Sequence, residues 1–126
     1  MDEVLDIVLK SYRGKDRCLT YQRNRVYSRI ELKHIYYIIR DPDSKTSTVY
    51  ASHGEYTVPL SLIQIKEQLD NRFFQVYRNC IINLDRVTSV DFKKDIIKFD
   101  NGKYLEKMSR EKKHLLLGLL KGKKDE

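Results

Sequence analysis

FFQVYRNCIINLDRV, residues 73–87, holds two runs of aromatic and β-branched side chains, FFQVY and CIINL, with Arg78 and Asn79 between them. Each run has the length and composition of a short strand, because such side chains fit a pleated, half-buried surface. A single strand would carry the apolar pattern straight through positions 78 and 79. An arginine and an asparagine break it there, so the chain leaves the core between two short strands.

The same alternation of strand and break extends in both directions. Upstream, CLTYQRN (18–24) and VYSRIELKHIYYIIR (26–40) alternate apolar and polar residues, which predicts strands joined near Asn24-Arg25, the second broken around Leu32. DPDSKTS (41–47) gathers proline, aspartate and serine and reads as a loop. TVYASHGEYTV (48–58) reads as a hairpin with its turn at His53-Gly54. After Pro59 the period changes: Ser61 and Gln64 have capping-box spacing and Leu62, Ile65 and Leu69 share a helical face, giving a short helix that ends near Asn71. Downstream, RVTSVDF (86–92), DIIKFD (95–100) and YLEKM (104–108) add strands, with a type I′ turn expected at Asn101-Gly102. SREKKHLLLGLL (109–120) starts at a serine N-cap and continues as a C-terminal helix. The fold class is therefore mainly β, with several short antiparallel strands that must pack on each other as a sandwich or as stacked sheets, one inserted short helix and a C-terminal helix.

At 126 residues the chain is long enough for one domain with a core that needs no disulfide or metal staple, and Cys18 and Cys80 stand far from any CxxC partner. No apolar run reaches bilayer length, and MDEVLDIVLKSYRGK (1–15) is acidic where a signal peptide is basic, so the chain reads as cytoplasmic with no membrane partner. Residues 1–16 read as an extension or linker remnant, with LDIVLKSYRG as a short helix or strand, and 17–126 as the domain. Lys and Arg total 25 against 18 Asp and Glu, and the resulting +7 is concentrated near the C-terminus, where Lys103 to Lys124 holds eight basic and two acidic residues. Such a patch favours an acidic polymer, nucleic acid first among those of the cytosol, although an anionic membrane surface or plain solubility would call for the same charge.

Leu69 to Leu84, LDNRFFQVYRNCIINL, resembles the central signature of the LytTR DNA-binding domains, the output modules of many bacterial response regulators. Val87 to Val90, the Asn101-Gly102 turn, Met108-Ser109-Arg110 and the leucine-rich helix follow in the order and spacing of that family, and IELKHIYYII upstream is similar to its strand before the first DNA-contacting loop. The resemblance spans about residues 17 to 120. It implies a fold of about ten short strands in small packed antiparallel sheets, and a sequence-specific transcription regulator that binds double-stranded DNA through loops in successive major grooves, two molecules on tandem direct repeats, with a receiver domain as a further partner and no cofactor.

Carried onto this chain, the first loop is Asp41 to Ser47 with Lys45 and Thr46, the second Tyr77, Arg78 and Asn79, and the third the turn at Ser109-Arg110. Lysine at 45 can reach a guanine edge or a phosphate, although Asp41 and Asp43 would repel the latter. Arg78 offers a planar fork of donors and Asn79 can pair with adenine; the competing reading is a β-bulge whose side chains satisfy backbone groups. Ser109 would position the helix start while Arg110 reads a base edge, and Lys107, Lys112 and Lys113 would add phosphate attraction. Asn83 matches a family asparagine but sits at a strand end, where stabilising a turn suits it better.

An enzyme finds no support: His34, His53 and His114 lack partners at metal-ligand spacing, and no nucleophile elbow, P-loop or dinucleotide fingerprint occurs. The alternative is a protein-interaction or dimerisation module without DNA binding, suggested by LLLGLL (115–120), which has more leucine than one helical face needs.

Overall fold

The computed structural model describes residues 17–124, so the expectation for LDIVLKSYRG and the boundary at residue 16 lie outside the described residues. The β-rich texture resolves into ten strands. β1 (Cys18–Arg23) and β2 (Val26–Glu31) form a two-stranded hairpin. β3 (Ile35–Arg40), β4 (Ser47–Ala51), β5 (Gly54–Val58), β6 (Phe73–Tyr77) and β7 (Cys80–Asn83) form a five-stranded sheet in the order β5-β4-β3-β7-β6. β8 (Val87–Asp91), β9 (Ile96–Phe99) and β10 (Tyr104–Leu105) make a three-stranded sheet. Every pairing is antiparallel. The helices are α1 (Leu62–Lys66) and α2 (Arg110–Lys124), and the break expected around Leu32 is a 3₁₀ turn over Leu32–His34.

The central sheet is buried on both faces, which is why β3 and β7 read as nearly continuous apolar runs. On one face Ile38, Val49, Val58 and Ile81 pack against Leu19 and Ile30 of the hairpin and Leu62 and Ile65 of α1. On the other, Tyr37, Val76, Cys80 and Ile82 pack against Ile97, Phe99, Leu105, Met108 and Leu116. Two bulges adjust this alternation. A register shift between Ile35 and Tyr37 puts both Tyr36 and Tyr37 in the second cluster, and one between Gln75 and Tyr77 does the same for Val76 and Tyr77.

Turn chemistry is where the structure departs from the sequence expectations. The expected type I′ turn at Asn101-Gly102 is instead a longer loop: Gly102 N–H donates to Phe99 O at 3.1 Å and only Gly102 takes a positive φ, 85°. The two consecutive left-handed residues of a I′ turn occur at Asn24 and Arg25, with φ of 53° and 65°, between the paired Arg23 and Val26. The second hairpin turns at Ser52-His53, one residue before the expected place, with Gly54 paired to Ala51. The Ser61–Gln64 capping box is present, with Gln64 N–H on Ser61 Oγ at 3.2 Å and Ser61 N–H on Gln64 Oε1 at 2.9 Å. The helix it starts ends at Lys66 rather than Asn71, and Leu69 reaches the core from a turn.

Candidate nucleic-acid interface

The β3–β4 loop is built on Asp41. Its carboxylate accepts from Thr46 Oγ1 at 2.7 Å and Thr48 Oγ1 at 3.1 Å, and its N–H donates to Thr46 O at 3.1 Å. Ser44 Oγ lies 2.7 Å from Thr46 Oγ1. Thr46 is thereby committed to holding the loop, while Lys45 stands exposed at its tip. Asp41, which the sequence suggested would repel a phosphate, spends its charge on these hydroxyls.

Arg78 and Asn79 form the two-residue connection between β6 and β7, with Tyr77 paired to Cys80. Neither has the positive φ that matches such a tight turn to strand twist. A bulge falls at Val76, just before the turn, and Tyr77 lines a cleft together with Ser109 and Arg110 at the start of α2. The bulge lies at Val76, two residues before the Arg78-Asn79 pair at which the alternative to DNA contact placed it, and Arg78 stands exposed in the turn with its guanidinium 5.8 Å from the centre of the Tyr77 ring. Asn79 gives its backbone carbonyl to Arg40 N–H at 2.9 Å, whereas its side-chain Oδ1 is shielded from solvent without a hydrogen-bond partner.

The start of α2 is clipped to β6. Ser109 N–H donates to Val76 O at 3.0 Å, and Ser109 Oγ accepts from Lys112 N–H at 3.2 Å, the expected cap. Arg110 follows as the first helical residue and is exposed. Lys107 Nζ lies 6.0 Å from the Tyr77 ring centre, opposite in role to a buried ion pair: it is exposed and adds charge beside Arg78. Lys112 Nζ sits 6.0 Å from the Phe74 ring centre. Lys113 is different. It pairs with Asp95 Oδ1 at 2.5 Å, at the β8–β9 connection, which draws its charge away from the cleft.

These pieces lie in one row. Gln75, Tyr77, Arg78, Ser109, Arg110 and Lys112 line a single cleft of about 500 Å³, with Glu111 as its one carboxylate. The β3–β4 loop stands next in the row, because Ile39 pairs with Cys80 and the following Arg40 bonds Asn79. Arg40 was missed from sequence, where it reads as the end of an apolar strand. Besides its backbone bond to Asn79, its Nη1 donates to Thr46 O and to Leu60 O, each at 3.4 Å, joining the first loop, the second turn and the segment before α1.

Other polar residues fall outside the row. Asn83 is wholly buried and bonded: Nδ2 donates to Ile35 O at 2.8 Å and Leu32 O at 3.4 Å, and Oδ1 accepts from Asp85 N–H at 3.0 Å. Burial pushes the Cys80 thiol up to about 12, which leaves it without nucleophilic thiolate at neutral pH. His34 and His53 lie 5.2 Å apart, their Nδ1 atoms engaged by Ser52 Oγ and Tyr56 Oη. Among the described residues no group of three or more His, Cys, Asp or Glu could hold a metal, and no helix is long and apolar enough to cross a membrane.

Residues 25–121 match the family model of the LytTr DNA-binding domain. No curated protein matches the chain. Among solved structures, the LytTr DNA-binding domain of a protein described as a methyl-accepting/DNA response regulator from Bacillus cereus superposes with a TM-score of 0.59 at 20% identity, covering 73% of this chain and 85% of that one. At that identity the likeness speaks for the fold, and the matched span carries the conclusion: this chain belongs to the LytTR family of DNA-binding domains.

Proposed function

We propose that the domain is a sequence-specific, double-stranded DNA-binding transcription regulator that lays the row of β3–β4 loop, β6–β7 turn and α2 start along the duplex. The observation that carries this is the convergence of Arg78, Arg110 and Lys112 on one cleft, with Lys45 exposed beside it. From strand spacing, the β3–β4 loop stands roughly 12 Å from β6, and the start of α2 lies further on. A row of that length can cross a minor groove, about 6 Å wide, and place its ends in the major grooves on either side. Asn79 Oδ1 suits this reading, since it has no partner in the free protein and a turn of the carboxamide out of its shielded position would offer it to a nucleic-acid donor.

On this reading two molecules occupy tandem direct repeats about one helical turn apart, their rows on the same side of the duplex. The protein acts in the cytoplasm, in a regulator whose activity a receiver domain controls, and performs no catalysis. Selecting bound duplexes from a random pool tests DNA binding and reads the half-site together. Binding should also fall linearly on a log–log plot against salt, each phosphate contact steepening the slope by about 0.9. Salt-independent binding would instead favour the interaction-module reading, for which Leu115, Leu117 and Leu119 on α2, exposed by 56%, 37% and 45%, are the specific support.

Reading and positioning are separable. Lys112→Ala should weaken binding to operator and random duplexes alike, by about threefold, because a phosphate contact carries no base identity. Arg78→Ala should chiefly narrow the gap between the two DNAs, by about tenfold. Equal losses on both DNAs for Arg78→Ala would reduce Arg78 to a phosphate contact.

A further inference from the structure

A second groove, of about 350 Å³, runs between α1 and the β6–β7 turn. Arg78 and Gln75 line both this groove and the cleft at α2, so they form the ridge between the two. Three cations, Arg40, Lys66 and Arg78, wall the groove and no carboxylate does. Among the described residues none of the three is paired with an acid: Arg40 bonds carbonyls, and Lys66 Nζ donates to Gln75 Oε1 at 3.0 Å. Gln75 Nε2 in turn donates to Arg78 O at 3.1 Å, so the Lys66 ammonium is held level with the turn. An ammonium has three donors and this uses one of them. Ile63, 74% exposed, adds an apolar wall beside the charges.

Uncompensated cations around an open trough with an apolar side match the chemistry of a sugar–phosphate backbone, where charge meets phosphate and the apolar wall meets deoxyribose. We propose that this groove seats the DNA backbone flanking the point where Arg78 enters the duplex, with Lys66 on α1 as a phosphate contact outside the three-loop row. Continuity with that row favours duplex DNA over free phosphate as the occupant. The inference rests on the DNA-binding reading above.

The test is a salt titration of binding to a short random-sequence duplex, followed by anisotropy, with inorganic phosphate as a competitor. Lys66→Ala should make the log–log slope shallower by about 0.9, so that its deficit against the parent shrinks roughly threefold when salt rises fourfold. Lys66→Arg should keep the parent slope. If Lys66 acted only by steadying Gln75, affinity would fall in Lys66→Ala with the slope unchanged, and the proposal would be overturned. It is also overturned if millimolar phosphate, at constant ionic strength, competes with the duplex in the parent but not in Lys66→Ala, since the groove would then be a free-anion site. A parent that binds no duplex at all defeats the DNA-binding reading itself, whereas a parent that binds and a Lys66→Ala variant with the parent slope defeat the groove alone.

Discussion

Replacing Arg110 by alanine should lower affinity for a selected operator by roughly ten- to a hundredfold, the worth of a bidentate arginine–guanine pair. The backbone at this position is fixed from both sides: Ser109 N–H is held by Val76 O and Ser109 Oγ caps Lys112 N–H. The guanidinium therefore starts from a rigid point in the cleft it shares with Tyr77 and Arg78. Because Arg110 is exposed, the melting behaviour should hardly move, by about 0.5 kcal/mol or less. Arg110→Lys should fail to restore operator binding, since lysine keeps the charge and loses the planar fork. A lysine variant that binds the operator as tightly as the parent would show the contact to be electrostatic only.

Asn83→Ala should do the opposite, costing stability and sparing recognition. Its side chain donates to the carbonyls of Leu32 and Ile35 and accepts from Asp85 N–H, so truncation removes three hydrogen bonds from a wholly buried position. A loss of about 3 kcal/mol is expected, which corresponds to a fall in melting temperature of roughly 10 °C for a domain of this size. Domains have about 5–15 kcal/mol in reserve, so the variant should still fold well below its melting point and there bind operator nearly as the parent does. Paired thermal melts and binding isotherms decide the matter: an unchanged melt with lost binding would make Asn83 a DNA contact instead of a brace between β7 and the start of β3.

The sequence carried the parts of the fold that depend on local pattern. The β-branched runs around residues 35–40 and 73–83, the capping box at Ser61–Gln64 and the cap at Ser109 are each written within a few neighbouring residues, and each stands where expected. What depended on partners distant in the chain was hidden. Asn101-Gly102 has the composition of a I′ turn, yet the pairing of β9 with β10 needs a longer loop, while the left-handed pair fell to Asn24 and Arg25 because Arg23 and Val26 are locked in register. Lys113 looked like one more free cation of a basic helix until Asp95, eighteen residues earlier, came beside it. Arg40 gave no signal because its role exists only where three segments meet, and Lys66 none because its groove is closed by a turn elsewhere in the sheet.

The bond from Ser109 N–H to Val76 O has a consequence for solubility. β5 and β6 end the five-stranded sheet, and an unguarded edge is a template on which another chain can add a strand. At β5 the Arg23 guanidinium occupies Thr57 O at 3.2 Å, Glu55 adds a charge and Pro59 follows at once. At β6 the guard is the start of α2 itself. The fastening that fixes the backbone before Arg110 is thus also the shield over an edge of the sheet, so a lesion that frees the helix start should weaken the proposed operator binding and expose a strand edge to aggregation in the same event.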